Sequence, residues 1–262
     1  LESTLDSGQA FRWKNRSDYF EGVLDKSIIL IKQITDGLEF ESFPQSEKEL
    51  KPQLKYYLSL HDDLEIILKS IAVDRNIQSY IDQYKGMRIL KQDPWECLIS
   101  FICSSNSNVL RVKQNVEDMS AAYGEKIEAF GSIRHTFPSP KQLENASIPI
   151  LRQLKLGYRA EYIHEAVKLV SQHVINPWAL LEEPYEEALM TLTKIPGVGD
   201  KVANCIMLFS MGKDDAFPVD VWIDRIIKEL YPEELDDYIQ RKYLNQLANK
   251  KRTKNRLKNP SV

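Results

Sequence analysis

Residues 194–210 read KIPGVGDKVANCIMLFS, which parses as the end of one helix, a tight PGVG turn and a second helix. Gly197 and Gly199 permit positive φ and keep side chains out of the turn. The backbone of Gly197, Val198 and Gly199 can therefore approach a phosphate closely, and the helix that follows adds the positive end of its dipole. Such a turn favours an anion without touching a base, as sequence-independent binding to a nucleic-acid backbone requires. An ordinary glycine-rich helix connection is the plain alternative. Lys201 falls in the first turn of the second helix, where the dipole disfavours a protonated amine, so a cation there is locally misplaced and suited to nucleophilic use. Cys205 lies four residues on, on the same helix face. Val202, Ile206 and Phe209 recur at helical spacing and read as core contacts.

Downstream, residues 216–227 read AFPVDVWIDRII, with Asp220 just ahead of another apolar-periodic run. A helix-capping aspartate accounts for the residue type completely. The same carboxylate can also stabilise positive charge developing on a sugar or help deprotonate a lysine, so both readings stay open.

Upstream, residues 9–43 are strand-like, with FRW, YFEGVL, SIILIKQI and LEFESF separated by polar or glycine-containing turns, the pattern of an antiparallel sheet. Pro44 ends it, and Ser46 followed by Glu49 resembles a capping box. Residues 62–84 read as amphipathic helices. After Lys91 strand signals nearly vanish, and apolar residues recur at helical spacing through 94–105, 109–123, 160–175, 184–194, 200–211 and 221–230. The expected fold is α+β and mainly helical. Residues 1–85 form an N-terminal antiparallel sheet with helices, and residues 86–262 a helical region holding the helix-hairpin-helix element at about 184–211 and a basic C-terminal tail.

With 262 residues and 43% hydrophobic content, the chain can bury a substantial core, which excludes disorder throughout. No apolar run reaches the ~20 residues a membrane helix needs, and residues 1–9 lack a signal-peptide pattern. A soluble intracellular protein without membrane contact is expected, in the cytoplasm or nucleoid of a prokaryote or the nucleus of a eukaryote. Cys97, Cys103 and Cys205 make neither a disulfide framework nor close metal-binding pairs, and no metal site is expected. A start at Leu1 rather than Met is expected of an incomplete gene product. The net charge of −3 decides nothing about nucleic acid, since phosphate contacts need only local positive potential. Residues 250–258, KKRTKNRLK, are such a basic stretch and read most simply as a solvated end.

These elements together resemble the helix-hairpin-helix glycosylases, specifically the 8-oxoguanine DNA glycosylases. The resemblance rests on the PGVG hairpin, Lys201 and the PVD at residues 218–220. It extends over most of residues 1–228 through SGQAFRW at 7–13, QDPWECLISFICSSNSN at 92–108 and LGYRA at 156–160. It implies a bifunctional DNA glycosylase and AP lyase that excises 8-oxoguanine from damaged double-stranded DNA, with Lys201 as nucleophile and Asp220 as acidic partner. The lesion pocket would hold Gly8, whose carbonyl accepts from the ring N–H that guanine lacks, with Cys205 and Phe209. Asn106, Arg111 and Arg159 would hold the orphaned cytosine, and Tyr158 would wedge into the stack. Without the family, Asn106 reads as a helix cap, Arg111 as a surface charge and Tyr158 as a loop aromatic. No cofactor or catalytic metal is implied, a structural cation on the hairpin carbonyls is compatible, and a monomer is expected.

Two departures accompany the resemblance. Trp222 stands where the family carries a phosphate-contacting histidine, and nothing after Tyr231 matches the family's C-terminal pocket helix. Either the chain is truncated or divergent there, or another element closes the pocket. A glycosylase for another lesion class, or a catalytically impaired helix-hairpin-helix DNA-binding protein, are the rival readings.

Overall fold

Four antiparallel strands in sequential order open the fold: β1 (Lys14–Asn15), β2 (Phe20–Leu24), β3 (Ser27–Ile34) and β4 (Gly37–Phe43). A computed structural model describes residues 1–231; the basic stretch at 250–258 and the sequence in place of the family's C-terminal helix lie outside the described residues. The β2–β3 register places Gly22 opposite Ile29 and Phe20 opposite Ile31. Because strand side chains alternate, β3 serves both faces of the sheet. Ile29 and Ile31 bury against Leu50, Leu54 and Leu58, whereas Ile28 packs with Val23 and Ile127.

The FRW segment is no strand, and the ladder begins at Lys14. In a strand Phe11 and Trp13 would share a face. Instead Phe11 enters the helical core, Trp13 enters the sheet-side core, and Arg12 is buried between charges.

Helices α1 (Glu2–Leu5), α2 (Glu47–Tyr57), α3 (Leu64–Ile71) and α4 (Arg75–Gln83) complete the N-terminal part. At α2 the Ser46 hydroxyl accepts from the Glu49 N–H while the Glu49 carboxylate accepts from the Ser46 N–H, the capping box read from sequence. Next come α5 (Pro94–Ser104) and α6 (Val109–Tyr123), then a hairpin of β5 (Lys126–Ala129) and β6 (Ser132–His135) that sequence reading passed over. The hairpin turns at Phe130 and Gly131, both at positive φ. Helices α7 (Pro140–Leu143), α8 (Ile148–Gln153) and α9 (Arg159–Ser171), a 3₁₀ turn (Ala179–Leu181), α10 (Tyr185–Leu192) and α11 (Asp200–Ser210) follow. Helix α5 is buried on nearly all sides and packs against α6, α9 and α11. Residues Leu1–Phe217 form one unit; from Pro218 on a second begins, containing α12 (Val221–Leu230). No helix among the described residues is long and apolar enough to cross a membrane.

A buried ionic network fastens the sheet to the helices. Arg134 donates to Glu21 at 2.7 Å, to Glu117 at 3.0 Å and to the Arg12 carbonyl at 2.9 Å, and Arg12 donates to Glu117 at 3.1 Å. Burial pushes the Glu21 and Glu117 carboxyls up, but hydrogen bonds and the neighbouring arginines outweigh it, so both lie below the ordinary carboxylate value. Glu96 is different. Its Arg12 partner is 3.9 Å away, and burial pushes its carboxyl up to about 7.

A raised folded-state value means that the Glu96 contribution to stability is fully present below the unfolded value of 4.5 and is lost as pH rises through about 7. Glu96→Gln is therefore expected to leave the melting temperature near wild type at pH 5 and to raise it at pH 8. Melting curves across that range check it; a difference independent of pH would remove Glu96 as the cause.

Candidate active site

The hairpin between α10 and α11 bends at Gly197, whose φ is +85° and where a Cβ would lie 2.5 Å from Cδ2 of Tyr162. Only glycine fits there. Gly199, by contrast, is extended at φ −93° and heads α11, so the positive φ expected of both glycines is used by Gly197 alone. Val198 buries its side chain, and its N–H donates to the Ile195 carbonyl at 3.0 Å, closing the turn. Gly199 has no side chain with which to cap α11. No side chain caps the start of α11, and a helix N-terminus of this kind favours an anion.

Lys201 is the second residue of α11, and its Nζ lies 5.7 Å from the ring centroid of Phe101. Phe101 stacks on Phe209 at 5.6 Å and meets Phe11 edge-on at 5.5 Å. Within residues 1–217 no carboxylate forms an ion pair with Lys201. The amine therefore rests on an aromatic floor instead of being neutralised. Gly8, three residues before Phe11, takes φ +86° beside Val109 at the start of α6. The aromatic stack thus brings the turn holding Gly8 together with Phe209 and Lys201. Cys205 is buried one turn beyond Lys201. Burial pushes Cys97 well up and Cys103 up to about 12, so both stay thiols.

A second cluster gathers around the loop between α5 and α6. Asn106 stands there at φ +50°, and the cap of α6 is Asn108, which accepts from the Arg111 N–H at 2.9 Å. Reading Asn106 as the cap is thereby corrected: its left-handed backbone differs from the extended conformation a cap takes. Arg159 is buried and donates to the carbonyls of Ser105 at 2.8 Å and Asn106 at 2.7 Å, while the Tyr158 hydroxyl donates to Ser105 at 3.1 Å. The Arg159 guanidinium lies 4.8 Å from the Tyr158 ring, which meets Tyr162 edge-on at 5.8 Å. Tyr162 in turn covers Gly197, so this cluster touches the hairpin. Tyr158 and Arg111 are exposed.

In the second unit Asp220 caps α12, one carboxylate oxygen accepting from both the Trp222 and the Ile223 N–H at 2.9 Å. Trp222 is exposed, with the Arg225 guanidinium 5.0 Å from its ring.

Sequence reading missed three contributors. Phe101 read as an apolar position inside the segment at 92–108, and only folding places it under Lys201. Asn204, fully buried, accepts from the Tyr185 hydroxyl and the Phe217 N–H, each at 3.0 Å, and donates to the Asp200 carbonyl at 2.8 Å. Its signal was a polar residue on the apolar face of α11. Gln92, the third, ties the turn after Gly8 to the end of α11.

A sheet-bearing N-terminal part joined to a helical body, with a lysine in the first turn behind a glycine hairpin, defines the helix-hairpin-helix class. The chain belongs to the HhH-GPD superfamily of base excision DNA repair proteins, matched over residues 99–251, with an 8-oxoguanine DNA glycosylase N-terminal domain over residues 1–98. It is 34% identical over 206 residues to the probable N-glycosylase/DNA lyase of Methanothermobacter thermautotrophicus, covering 71% of this chain and 65% of that protein. It is 32% identical over 255 residues to the N-glycosylase/DNA lyase of Saccharomyces cerevisiae, covering 88% and 68%. The chain thus spans about two thirds of the length of these relatives. Among solved structures it is similar to the 8-oxoguanine glycosylase/lyase of Clostridium acetobutylicum in complex with double-stranded DNA containing cytosine opposite 8-oxoguanine. That similarity has a TM-score of 0.85 and 30% identity, covering 93% of this chain and 84% of that one.

Proposed function

We propose that this chain is a bifunctional DNA glycosylase and AP lyase that removes 8-oxoguanine from duplex DNA. The observation that carries the reading is the Lys201 amine, held over the Phe101 ring immediately behind the glycine hairpin. In the proposed step the amine attacks the anomeric carbon of the flipped nucleotide, and the carbon–nitrogen bond to the base breaks with its electron pair leaving on the base. Proton loss from nitrogen and ring opening give a Schiff base. Loss of a sugar 2′ proton then expels the 3′ phosphate and cuts the strand. Asp220 supports the first step by stabilising positive charge on the sugar. The amine itself is the nucleophile, so the proposed step needs neither a redox cofactor nor a catalytic metal.

Gly8, Cys205 and Phe209 would line the lesion pocket in this reading. The hairpin backbone at Gly197, Val198 and Gly199 would hold the phosphates. Asn106, Arg111 and Arg159 would receive the orphaned cytosine while Tyr158 wedges into the stack. Arg159 already fixes the loop that presents Asn106, so the opposite-base site would be organised before DNA arrives.

Single-turnover excision from duplexes with 8-oxoguanine opposite each normal base tests this reading. The lesion opposite cytosine is expected to be processed faster than opposite adenine by at least about tenfold, equivalent to ~1.4 kcal/mol. Planar arginine donors suit the acceptor edge of cytosine better than the mixed edge of adenine. Equal rates opposite all four bases would overturn the opposite-base assignment, and no excision opposite any base would overturn the substrate.

A further inference from the structure

Gln92 precedes the Asp93 cap of α5 and is buried. Its side-chain amide donates to the Gln9 carbonyl at 2.6 Å and lies 3.4 Å from the Phe209 carbonyl, to which the Gln92 backbone N–H also donates at 2.9 Å. Gln9 directly follows Gly8, and Phe209 stacks on the ring beneath Lys201. One residue therefore bridges the turn that carries Gly8 and the end of the helix that carries the nucleophile.

Gln9 completes the fastening from its own side. Its amide nitrogen donates to the carbonyls of Thr4 at 3.1 Å and Arg88 at 3.0 Å, and its amide oxygen accepts from the Leu90 N–H at 2.8 Å. Every one of these partners is backbone, so the two glutamines set where main chain lies. Buried amides used in this way fix geometry, because a carbonyl deprived of its donor away from water is costly.

We propose that Gln92 is a positioning residue for lesion recognition, setting the separation between the turn holding Gly8 and the aromatic floor under Lys201. The inference rests on the functional reading above and adds a specificity determinant to it. The backbone N–H of Gln92 keeps the Phe209 carbonyl satisfied whatever the side chain is. Removing the side-chain amide therefore loosens the Gly8 side alone and leaves α11 and Lys201 in place.

Gln92→Met, similar in length but without the donor, tests this in two readouts. Hydrogen exchange of residues 7–13 should accelerate while exchange of residues 200–210 stays at the wild-type rate. Excision of 8-oxoguanine should fall about ten- to hundredfold, the scale of an ångström-level misplacement, while cleavage of a preformed abasic site, which needs Lys201 but no base, is retained. Gln9→Met releases the same turn while leaving Gln92 intact and should give the same pattern, which covers poor folding of the first variant. Unchanged exchange in residues 7–13, or equal losses in excision and abasic cleavage, would overturn the proposal. Should the wild-type protein excise no 8-oxoguanine, the substrate reading fails on its own, and the exchange comparison still decides whether Gln92 holds the turn.

Discussion

Asp220→Asn is expected to keep helix α12 and lose base excision. The cap depends on one side-chain oxygen that accepts from the Trp222 and Ile223 N–H groups, and asparagine offers an oxygen in the same place. Charge is what the substitution removes. If the carboxylate stabilises positive charge developing on the sugar, excision should fall by at least ~10²-fold, the lower end of what a positioned charge or acid–base group contributes. Melting temperature and affinity for lesion DNA should stay near wild type. Asp220→Ala serves as the comparison, because it deletes the cap as well and should cost about 1 kcal/mol of stability in addition. Single-turnover excision and melting temperature, measured on the same preparations, separate the two roles. An Asp220→Asn protein that excises at the wild-type rate would reduce Asp220 to its cap.

What was legible in the sequence follows from how local each signal is. The alternation of residues 20–43 and the Ser46–Glu49 pair are short-range, and β2 to β4 and the capping box formed as read. Helices α6 and α12 begin and end where apolar periodicity does, because Asn108 and Asp220 cap them directly. The failures involve signals that were weak or non-local. Residues 11–13 look like a strand, yet their side chains go to two different cores, a division that periodicity cannot express. The β5–β6 hairpin was missed because its strands are only four residues each, although the alternation in KIEAFGSIRH around the Phe130–Gly131 turn was there to be read. Two glycines in PGVG looked equivalent; the covering Tyr162 ring, 35 residues upstream in the chain, makes only Gly197 irreplaceable.

The site shows the same division. Lys201 and Asp220 could be singled out because each sits at a helix start, where dipole and capping rules act on residue type. LGYRA could be recognised as a group, but that Arg159 spends its donors on the carbonyls of Ser105 and Asn106 depends on contacts more than 50 residues apart in sequence. Phe101 lies inside the apolar run at 94–105 and Gln92 just ahead of it, and their roles appear only when α5 meets α11 and the turn holding Gly8.

Everything in the account depends on a primary amine at Lys201. Its Nζ rests over Phe101 in the first turn of α11, with no carboxylate of residues 1–217 paired to it. Lys201→Gln keeps a polar side chain of similar reach, leaves the hairpin backbone untouched and removes the amine proposed to form an imine with the opened sugar. Strand cleavage at 8-oxoguanine and at a preformed abasic site should both be lost, while DNA affinity should stay near wild type because the hairpin backbone proposed to hold the phosphates is unchanged. Borohydride trapping is the most direct measurement, since it reduces the imine to a stable covalent amine. The wild-type protein should give a covalent adduct with duplex containing 8-oxoguanine opposite cytosine, and Lys201→Gln should give none. An adduct that persists in Lys201→Gln would place the nucleophile elsewhere and contradict the account.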